Sequence, residues 1–255
     1  MAQTEMNVEL LAHSQISDKF REKAFPEYYA KHTTPDGQAV ALSAIRTCYS
    51  ENKPSEIVAK EGERYFGRKA TDGEGGTEAD RLIRMIMRSK HLSTVEHLSF
   101  TFAVEGVSRA LLAQLTRHRV GFSFSVQSQR YVKLGSGDKS GGFDYVVPEK
   151  VSDKFIEANG GRDKLYADEI FDAAMESAQV AYDSLREAGV PPEDARAVLP
   201  NAAACNLVMT ANLRALLDFY GKRRKGRGGQ HEITELAEAL RREVTAVEPW
   251  VDQFF

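Results

Sequence analysis

Cysteine is nearly missing from this chain of 255 residues, which carries only Cys48 and Cys205. Two thiols exclude a disulfide-stapled scaffold. Cys205 sits in the apolar run AAACNLVM, the setting of a small buried side chain rather than of a nucleophile. Long hydrophobic runs are missing too, since none approaches the ~20 apolar residues that cross a bilayer. The opening MAQTEMNVELLAHS has neither the basic start nor the apolar middle of a signal peptide, so a cytoplasmic protein with no membrane partner is expected. The six histidines include no pair at i,i+3 or i,i+4, and none joins a cysteine at zinc-like spacing, so no metal site is expected. Gly-x-Gly-x-x-Gly behind a strand and Gly-Lys-Ser/Thr are both absent, which removes the Rossmann and P-loop ways of holding a nucleotide. A net charge of -3 leaves no broad basic surface, and no nucleic-acid partner is expected.

One absence is local. Charged residues make up 28% of the chain, yet no Asp or Glu occurs from Gly106 to Gly137, where the charges are Arg109, Arg117, Arg119, Arg130 and Lys133. Clustered guanidinium groups hold phosphate oxygens through paired N–H donors, so this stretch reads as one wall of an anion site for a phosphorylated small molecule. Part of the cluster also fits a plainer account. RALLAQLTRHR has the apolar spacing of an amphipathic helix, and cations in its last turn favour the negative end of the helix dipole. A second basic run, Gly221 to Gly229, contains no acid between Asp218 and Glu232; from its residues alone it is equally a solvated loop.

The rest of the pattern is that of one α/β (α+β) domain over residues 1–255, with its core at about 7–250 and no linker or repeat. Hydrophobic content of 42% supports a substantial core. A central, mostly antiparallel sheet flanked by long helices is expected. Strands are read at Asn7 to His13, at LSFTFAVE with Leu98, Phe100, Phe102 and Val104 alternating, at Val126 to Val132, in FDYVVP, and at Ala202 to Thr210. Helices are read at Ala39 to Tyr49, Ser55 to Tyr65, from Thr77 through Met87, Gly106 to His118, Leu165 to Ala188, after Asn212, and at Ile233 to Val247. Ile16 to Pro35 reads as a surface connection. The stripe Ile170, Phe171, Ala174, Ala178, Ala181, Tyr182 and Leu185 reads as core or subunit interface. Ser93 with Glu96 three residues on has the form of a capping box.

Arg117-His118-Arg119 followed by Ser128 across the eight residues Val120 to Gln127 resembles the signature of the flavin-dependent thymidylate synthases. HLSTVEHLSFTFAVEGVSRALLAQLTRHR, SQRYV and RAVLPNAAACNLVMTANLRALLDFYGKR resemble family segments in family order, and the likeness covers most of Val8 to Trp250. The resemblance implies reductive methylation of dUMP to dTMP, with methylenetetrahydrofolate as carbon donor and NADPH as reductant through FAD. It also implies a homotetramer whose active sites lie between subunits. Gln114, Arg117, Ser128, Arg130, Arg196 and Arg223 match its dUMP positions, and His91, Ser93, Arg117, His118, Arg119, Asn212, Arg214 and Asp218 its FAD positions. Arg223, with Arg224 as a near alternative, matches the arginine that favours the ionised uracil ring. Two positions depart: Val126 stands where Glu or Gln is common, and Asp218 where Asn is common, so that Asp218 is expected to pair with an arginine. Cys48 falls where a small residue approaches the flavin, and equally reads as a helix-end packing residue. The other class of thymidylate synthase needs a Pro-Cys-His nucleophile, which neither cysteine provides. The alternatives are a flavin reductase without dUMP methylation and a non-catalytic nucleotide-binding module.

Overall fold

The computed structural model describes residues 1–24, 34–158, 160 and 163–255. Its elements are β1 (Asn7–His13), α1 (Asp18–Ala24), α2 (Asp36–Thr47), α3 (Ile57–Phe66), α4 (Glu78–Arg88), β2 (Ser99–Ser108), α5 (Arg109–Leu115), β3 (Phe122–Val126), β4 (Phe155–Ala158), β5 (Asp163–Tyr166), α6 (Ala167–Glu187), α7 (Pro192–Ala195), β6 (Ala204–Asn212), α8 (Leu213–Arg223) and α9 (His231–Val247). Residues 25–33, in the connection expected between Ile16 and Pro35, lie outside the described residues, as does His32.

Alternation in β2 sets the sheet. Phe100, Phe102 and Val104 turn inward and are essentially buried, while Ser99, Thr101 and Glu105 turn away. The strand order is β1-β2-β6-β3 with every neighbour antiparallel, as the sequence leads one to expect. Leu207, Met209 and Ala211 of β6 join the buried face, and the helices α2, α4, α5, α8 and α9 supply its other side. The opposite face is polar and open; there Thr101 and Thr210, cross-strand partners, bond hydroxyl to hydroxyl at 2.9 Å. Period-two patterning is what keeps this register, because a slip of one residue would turn Phe100 and Phe102 to solvent.

Three helices, α4, α5 and α8, begin on side-chain caps that the sequence advertises. Thr77 and Asp80 form a reciprocal capping box at α4, and Asn212 accepts from the Ala215 amide at 2.9 Å to open α8. Glu248, buried near the C-terminus, accepts from the Gly37 amide at 2.9 Å and from Trp250 Nε1, which fastens the start of α2 to the chain's end; burial pushes its carboxyl above the usual range.

Three expectations are corrected. The strand behind the signature is Phe122–Val126, not Val126 to Val132, because the F-S-F-S-V alternation pairs with β6 while residues 128–132 turn. FDYVVP forms only isolated bridges at Tyr145, to Gln3 and Ala203. The helix expected from Gly106 starts at Arg109, since β2 continues through a bulge to Ser108; Gly106 has φ +65, and a Cβ there would lie 2.2 Å from Glu5 O. Of the α6 stripe read as core or subunit interface, Tyr182 is buried and Phe171, Ala178, Ala181 and Leu185 are half-buried, while Ile170 and Ala174 are exposed on the single chain.

Candidate active site

The signature segment is positioned from two sides. Ser108 Oγ accepts from the Leu111 amide at 3.0 Å to start α5, and Glu232 at the head of α9 takes both the Ser108 amide and its hydroxyl, at 2.7 and 2.6 Å. Leu111, Leu112 and Leu115 bury one face of the helix. The other side leaves Gln114, and the turn beyond presents Arg117, His118 and Arg119. Gly121, at φ +75, carries the chain back: its carbonyl accepts from the Asn212 amide at 3.1 Å, and a Cβ would meet Ala215 and the Asn212 side chain at 2.8 Å. The signature turn is thereby packed onto the start of α8.

Three groups of predicted residues result. In the first, Arg223 Nε donates to His118 Nε2 at 3.2 Å, and the His118 ring stands edge-on to Phe219 at 4.9 Å. Burial, followed by the nearby charges of Arg223 and Lys222, holds His118 below its ordinary pKa. The ring is therefore neutral, with Nε2 as an acceptor. Gln114, in the last turn of α5, donates to Gln230 Oε1 at 2.6 Å. In the second group, Ser128 Oγ accepts from the Arg130 amide at 3.2 Å, Arg130 Nε lies 3.6 Å from Glu193 Oε2, and Arg196 Nε donates to Glu193 O at 3.0 Å. Gln129, between Ser128 and Arg130, is buried, and its amide nitrogen has no partner among the described residues. In the third, a groove of about 640 Å³ is walled by Met87, Leu92, Leu217 and Phe254, and Asn212, Arg214, Asp218 and Gly121 also line it. Arg214 pairs with Glu96, and Asp218 pairs with Lys222 at 2.6 Å. His91 Nδ1 lies 3.0 Å from the Tyr49 hydroxyl, and Ser93 is exposed beside it.

Two expectations about these residues are corrected. Glu96 does not cap with Ser93: the 3-10 turn at Leu92–Val95 has no side-chain cap, and the carboxylate is drawn to Arg214. Asp218 pairs with a lysine one helical turn on, not with an arginine. No hydrogen bond or ion pair among the described residues joins the His118–Arg223 group to the Ser128–Arg130–Arg196 group. Four supporting residues were not foreseen: Gln230, Glu193, Tyr49 and Lys222. Only the i,i+4 spacing of Asp218 and Lys222 was visible in the sequence. A larger cleft of about 830 Å³ lies between Gln3–Val8, 146–150 and the start of α9; none of the predicted site residues lines it, so the chemistry points to the smaller groove.

The model of the family described as "Thymidylate synthase complementing protein" matches residues 31–250. The chain is 39% identical over 218 residues to the flavin-dependent thymidylate synthase of Geobacter sulfurreducens, covering 86% of this chain and 82% of that one. The chain belongs to the flavin-dependent thymidylate synthase family. It is likewise 36% identical over 240 residues to the flavin-dependent thymidylate synthase of Nitratidesulfovibrio vulgaris, over 94% of this chain and 82% of the relative. Among solved structures, the UMP/dUMP methylase PolB of Streptomyces cacaoi, bound with 5-Br dUMP, superposes with a TM-score of 0.67 at 23% identity over the whole of this chain and 96% of that one. That likeness shows the fold.

A flavin-dependent thymidylate synthase must hold FAD, and the donor set of the groove fits it. Apolar walls suit a flat ring system, Arg214 and Asn212 supply donors for phosphate or ribose oxygens, and both carboxylates present carry a cationic partner that offsets their repulsion of a pyrophosphate. Arg117 and Arg119, at the mouth of the signature turn, have no carboxylate within ion-pair distance among the described residues.

Proposed function

We propose that the protein converts dUMP to dTMP, with methylenetetrahydrofolate giving the carbon and NADPH the reducing equivalents. The flavin supplies hydride exchange with NADPH when it is bound. His91, Ser93, Arg117, His118, Arg119, Asn212, Arg214 and Asp218 hold FAD in this reading, and Gln114, Arg117, Ser128, Arg130 and Arg196 hold the dUMP phosphate and sugar. The observation that carries it is the docking of Arg223 on a neutral His118. Bound through Nε, the guanidinium keeps its two terminal nitrogens for a ligand.

Those nitrogens stabilise negative charge on the uracil ring as its N3 proton is lost, which raises electron density at carbon 5, where the new bond forms. The chain's own side chains favour this over covalent activation of the substrate. Among the described residues Ser128 has no base beside it: the contact at its hydroxyl is the Arg130 amide. Cys205 is buried, its thiol pushed up to about 11, and Cys48 is exposed at the end of α2, its thiol donating to the Ala44 carbonyl at 3.8 Å. Glu193 is an internal counter-ion for Arg130 that phosphate replaces.

The separation of the two arginine groups within one chain supports completion of each site by another copy, in a homotetramer, and so does the exposed face of α6, where Val180 is 66% exposed. The whole chain, 1–255, acts as one domain. Among the described residues no helix is long and apolar enough to cross a membrane, and we assign the protein to the cytoplasm.

The test is anaerobic NADPH oxidation by the FAD-loaded protein, with and without dUMP and methylenetetrahydrofolate, followed by analysis for dTMP. Product that forms only with all components present supports the reading. NADPH consumption without dTMP would leave a flavin reductase, and a colourless protein that binds no flavin would leave a nucleotide-binding module.

A further inference from the structure

The basic segment 224–229 is fastened at both ends to the signature region. On one side Arg223 donates to His118 at 3.2 Å, and on the other Gln230 accepts from Gln114 at 2.6 Å. Gln114 lies in the last turn of α5 and His118 in the turn that follows it, so the two fastenings meet the same end of the signature helix. Between them Arg224, Lys225 and Arg227 are exposed, and Gly226 and Gly228 take positive φ, 84 and 74. The segment is a strap whose ends, rather than its own packing, fix it.

Gln114 faces a conflict of donors. A side-chain amide has two N–H protons, and a phosphate dianion offers only acceptors, so only the nitrogen end of Gln114 is of use to the dUMP phosphate. That nitrogen is already spent: it donates to Gln230 Oε1 at 2.6 Å and to Ala110 O at 3.3 Å. The bond to Ala110 lies within the helix. The bond to Gln230 is the one that can be given up.

We propose that Gln230 is a latch that competes with the substrate phosphate for the Gln114 amide, so that dUMP binding releases the side-chain tie between the strap and α5. Gln230 is a positioning residue and acts through Gln114; the proposal rests on the assignment of Gln114 to the dUMP phosphate. With the latch closed the strap is held near α5. Once the phosphate takes the amide, the strap loses its side-chain tie to α5 while its flanks stay held at Arg223 and, through Glu232, at Ser108, so that its three cations gain freedom to move between those two points.

The experiment uses full-length, flavin-loaded wild type, Gln230→Leu, which lacks the acceptor, and Gln230→Glu, which keeps it. Two quantities are read: the dUMP dissociation constant by titration calorimetry, and the rate of trypsin cleavage after Arg227. Without a competitor for Gln114, Gln230→Leu should bind dUMP roughly three- to tenfold more tightly, the worth of one modest hydrogen bond. Its KM for dUMP should fall with kcat little changed, and trypsin should cut it faster than wild type in the absence of dUMP. Gln230→Glu should bind no more tightly than wild type and be cut no faster. In the wild type, saturating dUMP should itself speed cleavage after Arg227, a readout that does not depend on any variant folding. Equal or weaker dUMP binding by flavin-loaded Gln230→Leu, or wild-type cleavage that dUMP leaves unchanged or slows, would overturn the latch. Failure of the wild type to bind dUMP at all would instead overturn the functional reading, and the latch with it.

Discussion

Arg84 on α4 is 7% exposed and forks onto both oxygens of Asp72, at 3.0 and 2.8 Å, with further bonds to Gly75 O and Gln253. Arg117, at the end of α5, is exposed, with no carboxylate in reach among the described residues and with Arg119, His118 and Arg223 as company. The residue type is the same and the electrical setting opposite. Arg84 has its charge matched inside the fold, where it holds the Gly-rich loop before α4 against the C-terminal segment. Arg117 has its charge left open, and like-charged neighbours make that a standing cost to the folded chain. An arginine's role is therefore told by what already answers its charge.

Substitutions should separate the two settings. Arg84→Ala strands a carboxylate in a partly buried place and should show the largest loss of stability, a drop in Tm of roughly 5–10 °C by calorimetry, with dUMP affinity near that of wild type. If Tm hardly moves, Arg84 is not structural in the sense argued here. Arg223→Ala should cut dTMP formation about 100-fold or more while the protein stays yellow with bound flavin. Unchanged turnover would transfer the role to Arg224.

Arg117→Ala is the direct counterpart of Arg84→Ala. It should weaken dUMP and flavin binding about tenfold with Tm equal to or slightly above wild type, because a source of repulsion is gone. A clear fall in Tm would break the comparison. The smallest effect concerns His118. Its folded pKa lies below the unfolded value near 6.5, so the unfolded chain takes up the proton first on acidification. Stability is fully present at pH 7 and should be lost as pH falls from about 6.5 towards the lowered folded value. The same proton removes the acceptor for Arg223, so activity should fall over that window too. His118→Gln should flatten the stability loss in denaturant titrations between pH 5 and 7.

What could be read in advance follows from the range of the interactions. The alternation of Phe100, Phe102 and Val104, the cap at Thr77 and the arrival of Asn212 and Arg214 at a helix start are local, and the sequence carries them openly. The corrected strand at Phe122–Val126 was legible as well, since F-S-F-S-V alternates better than the residues after it. The hairpin β4–β5 was not, because Phe155, Ile156 and Glu157 on one strand and DKLY on the other are exposed and impose no period. The candidate site residues could be named as members of segments, but their partners were hidden by distance along the chain. Gln230 is 116 residues from Gln114, and Tyr49 is 42 from His91. Glu193 ties Arg130 to Arg196 only because the fold brings α7 to the turn after β3.

The bonds of Glu232 to Ser108 and of Arg223 to His118 fix the two flanks of the strap independently of whatever lies between them. The number of residues in that interval is thus a free dimension of the molecule. A few glycines or serines inserted near Gly226 would lengthen it at small entropic cost without shifting α5 or α8, since loop closure grows only slowly with length. The same interval could carry a fluorescent reporter or a tether, making it a port through which the site can be watched or wired.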